Sequence, residues 1–356
     1  MPSEAPDALG ASPPPAVSVV ICTYNRPERL RNCLRSLLAS LHEDGLQSEI
    51  VVVDNTERPY AEAVLRDFAP EVPARVVLAS PPNISVARNA GIRAARGPLI
   101  AFLDDDQLVE SGWLAAMLGT ERDTGADVVL GAVIPQHLGG PPPRGDWGLY
   151  SRLLDRPSGT IISLNGPNRP DGFAFGTGNS LWRRDTTLAA ENPFDPEFGA
   201  CGGEDYELYL RSEQAGRRFA WCADGKVLEA VPHDRLRLGY LVRRAFSGAQ
   251  VYAAATIRNS ASPVRTAASI MARGAAQAVL HVLGAPVLCL IARLRPSRAA
   301  AGARGASSGR EHCLDAMLSQ AAFGLGKLVW WRKIPLYRMG PPPVAAAEPA
   351  GPQASQ

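Results

Sequence analysis

The amino-acid sequence predicts an α/β protein with a mostly parallel, doubly wound sheet, followed by a helical region at the C-terminal end. Apolar, β-branched runs alternate with helical segments through about the first 130 residues. Because parallel strands joined by helical crossovers end at one edge of a sheet, polar residues at strand ends are expected where such folds bind ligands. Three runs end in this way, at Thr23-Tyr24-Asn25, Asp54-Asn55 and Asp104-Asp105-Asp106.

The individual elements follow from the apolar pattern in chain order. Residues 16–22 form a continuous apolar run, which is typical of a strand buried on both faces. Pro27 then opens a helix whose apolar residues recur every three or four positions as far as Leu41. Asn83 is a candidate N-cap for a helix that extends through Ala95. Further strands are predicted at 49–53, 75–79, 98–103 and 127–133.

Composition and charge divide the 356 residues into four predicted parts. Hydrophobic residues make up 46% and the net charge is +2, which indicates a globular chain and excludes a dedicated nucleic-acid-binding protein. Residues 16–257 are predicted to form the α/β domain and 258–339 a basic helical region. The chain up to residue 257 holds 25 Lys and Arg against 32 Asp and Glu, whereas the rest holds 12 against 3. Residues 1–15 and 340–356 are predicted to be a disordered leader and tail.

Several common ligand motifs do not occur in the sequence. Neither GxGxxG nor GxxxxGK[ST] follows a predicted strand, which disfavours a dinucleotide fold and a P-loop. The six cysteines are scattered without the spacing of a zinc site, and they are predicted to be reduced thiols of a cytosolic protein. The first residues have neither the basic nor the apolar region of a secretory signal.

The three acids at 104–106 are the first candidate site. In strand geometry Asp104 and Asp106 project to the same side, where two carboxylates repel each other unless a cation or a hydroxyl lies between them. A divalent ion such as Mg²⁺, bound by carboxylates together with substrate phosphates, would relieve that repulsion. The alternative is that the acids cap a helix predicted at 108–118, with no metal involved.

A second acidic pair, Glu204-Asp205, follows Gly202-Gly203. Glycines allow a close backbone approach to a ligand, and acids favour a helix N-terminus. An aspartate has an ordinary pKa of about 3.9 and is a weak base, but burial and a neighbouring acid raise its pKa. A general base and a charged helix N-terminus are therefore both open interpretations.

Five segments taken together resemble a known enzyme family. They are VSVVICTYNRPERL (17–30), EIVVVDN (49–55), NISVARNAGIRAARGPLIAFLDDDQLVESGWL (83–114), GTGNSLWRR (176–184) and GGEDYELYLR (202–211). In this order they resemble the family 2 glycosyltransferases, inverting enzymes with the Rossmann-like GT-A fold. The similarity extends from about residue 17 to residue 248. It is strongest to the bacterial exopolysaccharide branch, which includes the succinoglycan glucosyltransferases.

The resemblance implies a site for a nucleotide-diphosphate sugar. Thr23 and Tyr24 match the motif that lies along the nucleotide base, and Asp54 matches an acid that binds this base. A core aromatic is the alternative for Tyr24, and a structural salt bridge is the alternative for Arg88. The nucleotide-sugar-binding positions of the family correspond here to Thr23, Tyr24, Asp54, Arg88, Asn89, Asp104, Asp105, Gly178 and Asn179.

The resemblance also implies a divalent cofactor, Mg²⁺ or Mn²⁺, with Asp106 as a ligand. Asp205 corresponds to the general base that deprotonates the acceptor hydroxyl, and Glu204 corresponds to its supporting partner. Many relatives place a histidine ligand in the segment that matches 227–231. Here Glu229 lies in that segment and His233 follows it, so either could be the third ligand, and a structural role is the alternative for His233.

The implied activity is inverting transfer of a sugar to a lipid-linked or other saccharide acceptor during cell-surface or exopolysaccharide biosynthesis. A nucleotidyltransferase of related fold is one alternative, although the loop CTYNRPERL lacks the expected glycines. A nucleotide-sugar-binding scaffold without catalysis is another, although Asp104, Asp106 and Asp205 are all present.

The C-terminal region predicts contact with a membrane. Residues 274–292 carry no formal charge, which suits a spanning, re-entrant or interfacial segment, with a buried helix as the alternative. A later apolar stripe, from Leu314 to Val329, ends in Trp330-Trp331-Arg332-Lys333, a combination that favours anionic lipid surfaces. A soluble helix packed on the α/β domain would show the same stripe. The expected location is the cytoplasmic side of the bacterial cell membrane.

Overall fold

The computed structural model describes residues 15–68, 73–138, 140, 150–171, 175–294 and 305–332. The predicted tail, all but the last residue of the predicted leader, and Lys333 lie outside the described residues. In the ranges described, the core is one sheet of nine strands with helices packed on both faces. The predicted α/β class is therefore confirmed.

Strand and helix alternate along the chain as predicted. The strands are β1 (Val17–Thr23), β2 (Ser48–Asp54), β3 (Ala74–Leu78), β4 (Leu99–Asp104), β5 (Gln107–Val109), β6 (Val128–His137), β7 (Ile161–Ile162), β8 (Ser180–Arg183) and β9 (Phe219–Val231). The helices are α1 (Pro27–Asp44), α2 (Ala61–Arg66), α3 (Ile84–Ala94), α4 (Trp113–Thr124), α5 (Arg184–Thr187), α6 (Pro196–Gly199), α7 (Glu204–Gln214), α8 (Leu238–Arg258), α9 (Pro263–Leu294) and α10 (Gly305–Leu328). A 3₁₀ helix covers His233–Leu236. The five predicted strands correspond to β1, β2, β3, β4 and β6.

The strands follow the order β3-β2-β1-β4-β8-β6-β9-β5, and β7 pairs with β9. The first four strands of this order are parallel, as predicted, and β6 is parallel to β9. In contrast, β5, β7 and β8 run against their neighbours, so the sheet is mixed. The reason lies in the connections. β5 follows β4 after a two-residue turn, and no helix in the described residues lies between β7 and β8, so both strands depart from the strand–helix alternation that predicts parallel pairs.

The register of the central strands brings the polar strand ends together. Thr23 on β1 pairs with Asp54 on β2, and Cys22 pairs with Asp104 on β4. Asn83 caps the nearby helix α3 as predicted, since its side-chain oxygen accepts hydrogen bonds from the backbone N–H of Ser85 at 2.9 Å and of Val86 at 3.3 Å. The carboxyl edge of the sheet is therefore the polar edge that the sequence predicts.

Three long helices follow the sheet, and α10 packs against both α8 and α9. Small residues allow this packing, because a Cβ at Gly326 would overlap the carbonyl oxygen of Phe246 on α8. Gln250 of α8 donates hydrogen bonds to the carbonyl oxygens of Val329, at 2.9 Å, and Arg332, at 2.5 Å, just beyond the end of α10. None of the helices in the described ranges is both long and apolar enough to cross a membrane.

Candidate active site

A cavity of about 1220 Å³ opens at the carboxyl edge of β1 and β4. It exceeds the range of about 300–1,000 Å³ that is typical of small-ligand sites, so it has room for two substrates. Most residues predicted for the site lie in its wall. These are Thr23, Tyr24, Arg88, Asp104, Asp105, Asp106, Gly178, Glu204, Asp205 and Glu229.

The acids at 104–106 form a turn between two strands. Strand β4 ends at Asp104, the next two residues make the turn, and β5 begins at Gln107. The expectation that Asp104 and Asp106 share one face of a strand is therefore wrong. The helix-cap alternative is also wrong, because α4 begins at Trp113 and its N-cap is Gly112. The turn instead directs three carboxylates toward the cavity.

Arginines from the start of α1 neutralise this turn. Arg26 pairs with Asp105 at 3.0 Å and with Asp106 at 3.3 Å, and Arg29 pairs with Asp106 at 3.0 Å. Thr23 donates a hydrogen bond to Asp105 at 2.8 Å. Burial nevertheless raises the pKa of Asp105 to about 6. Sequence reasoning missed both arginines, although each lies within six residues of the end of β1.

A buried ion pair joins α3 to the start of α7. Arg88 lies 2.5 Å from Glu204 and 3.8 Å from Asp104, and its side chain is 8% exposed. Burial lowers the pKa of Arg88, but the charges of Glu204 and Asp104 raise it overall. Both interpretations of Arg88 therefore apply, because this residue forms a salt bridge and also lines the cavity.

Asp205 lies beside this ion pair. Burial and then the charge of Glu204 raise the pKa of Asp205 to about 7. Glu204 also accepts a hydrogen bond from the backbone N–H of Gly203 at 2.9 Å. The pair starts α7, as the helix interpretation predicts, and Asp205 faces the cavity with a pKa suited to proton transfer near neutral pH.

Glu229 faces the acidic turn from β9. Burial and then the charges of Asp106 and Asp104 raise the pKa of Glu229 to about 7. Gln107, which sequence reasoning missed, donates a hydrogen bond to Glu229 at 3.2 Å. Of the two alternatives for the third metal ligand, Glu229 lines the cavity, whereas His233 is exposed and does not.

These oxygen donors fit a hard divalent cation. Asp104, Asp106 and Glu229 repel one another in the same cavity, and a cation would relieve that repulsion. In the described part of the chain, however, no three His, Cys, Asp or Glu side chains form a ready-made metal site. Mg²⁺ commonly binds through one or two carboxylates and substrate phosphates, so the donor set is suitable for an ion that arrives with its substrate.

The segment 176–179 approaches the acidic turn closely. A Cβ at Gly178 would overlap the carboxylate of Asp104, so only glycine leaves that carboxylate in place. Arg152, which is buried and which sequence reasoning missed, donates hydrogen bonds to the carbonyl oxygens of Gly176 at 2.7 Å and Asn179 at 2.8 Å. Thr177 lines the cavity, and its buried hydroxyl has no hydrogen-bond partner in the described structure.

Three residues predicted to bind the nucleotide sugar do not line the cavity, and each has a structural role instead. Asp54 is fully buried and accepts hydrogen bonds from the backbone N–H groups of Tyr60, at 2.7 Å, and Ala61, at 2.9 Å. The side chain of Asn89 donates to the carbonyl of Phe194 at 2.7 Å and accepts from its N–H at 3.0 Å. Both side chains hold loops of the scaffold.

Asn179 is the third of these residues. It is fully buried, and its φ of 57° lies in the left-handed region, which asparagine tolerates. Its side chain accepts a hydrogen bond from the indole of Trp113 at 2.7 Å and donates to the carbonyls of Ala132, at 2.7 Å, and Gly225, at 2.8 Å. The prediction that Asn179 contacts substrate is therefore wrong. The hydrogen bonds of Asn179 instead fix the backbone next to Gly178.

The fold and cavity define an α/β enzyme with a GT-A-like fold, and solved structures share this fold. The mannosyltransferase PcManGT of Pyrobaculum calidifontis, in complex with GDP-Man and Mn²⁺, superposes with a TM-score of 0.55 at 19% identity. That match covers 90% of this chain and 89% of the other. Residues 1–349 of TarS from S. aureus, in complex with UDP-GlcNAc, give a TM-score of 0.50 at 17% identity, over 70% of this chain and 69% of that one.

Sequence comparison identifies the family. The profile of Glycosyl transferase family 2 matches residues 18–173. The chain is 34% identical over 284 residues to the succinoglycan biosynthesis protein ExoM of Rhizobium meliloti (strain 1021). That match covers 79% of this chain and 87% of the relative. The chain belongs to glycosyltransferase family 2 and is a glycosyltransferase. The alternative that it is a nucleotidyltransferase is therefore excluded.

Substitution of Asn179 by alanine tests its structural role. Asn179→Ala removes three buried side-chain hydrogen bonds and leaves their partners unpaired, so we expect the free energy of unfolding to fall by about 2–4 kcal/mol. Chemical denaturation measures this loss. Asn32→Ala, at an exposed position of α1, is the matched control and should change stability by less than about 0.5 kcal/mol. An Asn179→Ala protein of unchanged stability would contradict the structural role.

Proposed function

We propose that this glycosyltransferase moves a sugar from a nucleotide-diphosphate sugar to a saccharide acceptor with inversion, and that Asp205 is its general base. The observation that carries the proposal is the position of Asp205 in the same cavity as the acidic turn, with a pKa of about 7. Relatives support the donor class, because PcManGT is solved with GDP-Man and TarS with UDP-GlcNAc. ExoM is a succinoglycan biosynthesis protein, which supports a role in exopolysaccharide biosynthesis.

The donor half of the cavity suits a nucleoside diphosphate. Tyr24 is half-buried in the cavity wall, where its ring can stack on a base. Arg26 and Arg88 offer planar guanidinium groups, which bind diphosphate oxygens well. Thr177 offers a free hydroxyl beside Gly178, where a donor sugar could accept or donate a hydrogen bond.

In the proposed reaction, Asp205 accepts the proton of an acceptor hydroxyl while that oxygen attacks the anomeric carbon. The new carbon–oxygen bond forms on one face of the sugar as the bond to the diphosphate breaks on the other, which inverts the anomeric centre. Glu204 holds the Arg88 guanidinium and raises the pKa of Asp205. A base with a pKa near the working pH transfers protons effectively.

Asp104, Asp106 and Glu229 are the residues proposed to hold a divalent ion together with the donor phosphates. When bound, such an ion supplies positive charge against the negative charge that develops on the leaving diphosphate. Arg26 and Arg29 pair with the Asp106 carboxylate in the structure.

A lipid-linked acceptor at the cytoplasmic face of the membrane is the proposed setting. Exposed apolar side chains on α9 support contact with lipid, and Arg265 and Arg273 on the same helix favour anionic headgroups. Trp331, whose side chain lies beyond α10, is also exposed. The exposed apolar residues of α9 include Val264, Val279, Leu280, Val282 and Leu283.

A panel of nucleotide sugars tests the proposed activity. Purified protein with Mn²⁺ should release nucleoside diphosphate from one donor of the panel, and the same donor should raise the melting temperature most because it binds the native state. Absence of both turnover and stabilisation across the panel would contradict the proposal.

Replacement of the base should separate chemistry from binding. Asp205→Asn keeps the size of the side chain but cannot take up the proton, so kcat should fall about 10²–10⁴-fold while the Kd for donor changes little. The Asp205 carboxylate must be ionised to accept the proton. The kcat of the wild type should therefore fall as the pH decreases below about 7, the pKa of Asp205. Asp123→Asn, at an exposed position of α4, is the control. An Asp205→Asn enzyme with normal kcat would exclude Asp205 as the base.

Metal binding can be measured directly, without an activity assay. Titration of Mn²⁺ by electron paramagnetic resonance, in the presence of UDP, should show at least about tenfold weaker binding for Asp106→Asn. Glu229→Gln should weaken Mn²⁺ binding in the same direction, and Glu62→Gln on the exposed side of α2 should not. Equal Mn²⁺ affinity in all these proteins would contradict the ligand assignment.

Vesicle binding tests the membrane setting. The double variant Leu280→Ser/Leu283→Ser removes exposed apolar area from α9, so its sedimentation with phosphatidylglycerol vesicles should fall several-fold. Leu78→Ser, at an exposed leucine of β3, should bind vesicles as the wild type does. If the double variant binds vesicles as well as wild type, α9 is not the lipid-contacting element.

A further inference from the structure

The cavity extends beyond Asp205 to two helices of the C-terminal region. Its wall there is formed mainly by small or aromatic side chains of α8 and α10. Only one of these residues, Arg244, is charged, and its guanidinium lies 4.7 Å from the centre of the Tyr150 ring. The α8 and α10 residues of the wall are Leu241, Arg244, Ala245, Ser247, Gly248, Val251, Tyr252, Ser319, Gln320 and Phe323.

Helix α8 packs directly on the loop that carries the base. Gly203 has a φ of 114°, and a Cβ there would overlap the side chain of Val251. The hydroxyl of Ser247 donates to the carbonyl of Cys201 at 3.5 Å, and the hydroxyls of Tyr206 and Thr256 lie 3.4 Å apart. The position of α8 is therefore tied to the position of Asp205, which lies between Gly203 and Tyr206 in the sequence.

Helix α10 completes the wall from the other side of α8. The ring centres of Phe323 and Tyr252 are 6.3 Å apart, and those of Tyr252 and Tyr206 are 5.6 Å apart. A line of aromatic rings thus leads from α10 to the residue that follows Asp205. The apolar faces of such rings are suited to the C–H face of a sugar ring.

Ser319 adds a polar group to this part of the wall. It is 8% exposed, and its Oγ has no hydrogen-bond partner in the described structure. Buried hydroxyl groups are nearly always paired, so a ligand hydroxyl that reached Ser319 would satisfy this group. Gly248 leaves open space on the same cavity, because nothing lies within 4 Å of a Cβ built there.

We propose that α8 and α10 form the subsite for the terminal sugar of the acceptor. Ser319 hydrogen-bonds a hydroxyl of that sugar, and Tyr252 and Phe323 pack against its ring. Two cations lie at this wall, Arg244 and Lys327, and the Lys327 Nζ is 4.7 Å from the centre of the Phe323 ring and 5.9 Å from that of the Tyr252 ring, so the wall fits a saccharide without positive charge. This inference rests on the proposed function, because it is Asp205 that deprotonates the sugar bound here.

The test blocks the subsite without touching the donor half. Gly248→Leu places an apolar side chain in open space, and leucine is a better helix former than glycine, so the fold should be kept. Gly239→Leu is the matched control, because it lies on the same helix, also has open space, and does not line the cavity. The probes are octyl β-D-glucoside and octyl β-D-galactoside below their micelle concentrations, with UDP present.

Saturation-transfer NMR should show that wild type and Gly239→Leu bind at least one glycoside. Gly248→Leu should bind it at least tenfold more weakly. Ser319→Ala should bind it about three- to tenfold more weakly, whereas Ser269→Ala on the exposed side of α9 should not. The affinity for UDP should be equal in all five proteins.

Two results of the glycoside measurement would overturn the subsite. One is wild-type protein that binds neither glycoside, and the other is Gly248→Leu protein that binds as wild type does. Failure of the proposed function would be seen as absence of nucleotide-sugar turnover. The subsite can still be tested in that case, because this assay measures glycoside binding and does not require turnover. Loss of UDP affinity in Gly248→Leu would also count against the inference, because the variant would then act on the donor half.

Discussion

The ion pair between Arg88 and Glu204 is the contact on which the site depends. It joins α3 to α7 across the cavity, and the same guanidinium lies 3.8 Å from Asp104 at the end of β4. A cavity wall with six acids could not hold its carboxylates close together without such cations. Arg26 and Arg29 repeat the arrangement at Asp105 and Asp106. Removal of one partner from a buried pair leaves an uncompensated charge, so these contacts stabilise the site as a group.

Charge balance also explains why the acids differ in their properties. Asp106 lies within 4 Å of three arginines, Arg26, Arg29 and Arg235, whereas burial and neighbouring acids raise the pKa values of Asp205 and Glu229 to about 7. The site thus combines a carboxylate surrounded by arginines with two carboxylates whose raised pKa values suit proton exchange near neutral pH. The proposed base, Asp205, belongs to the second kind.

The sequence predicted the elements of the sheet and the edge at which the site lies, because apolar runs and polar strand ends are local signals. It did not predict the antiparallel β8, whose place depends on a long connection, nor the partners of Asp54, Asn89 and Asn179. A motif states which residue types occur, and only packing decides which side chains face the cavity. Arg152 and Gln107 were missed for the same reason, since only packing shows their contacts, even though Gln107 lies within one of the five family-like segments.

The stereochemistry of the product tests the central claim most directly. Single displacement assisted by one base, Asp205, requires that the transferred sugar change its anomeric configuration. Proton NMR of the newly formed glycosidic linkage, compared with the anomeric proton of the nucleotide-sugar donor, measures this. Inversion is the expected result, so an α-linked donor should give a β-linked product. Retention of the donor configuration would contradict the central claim.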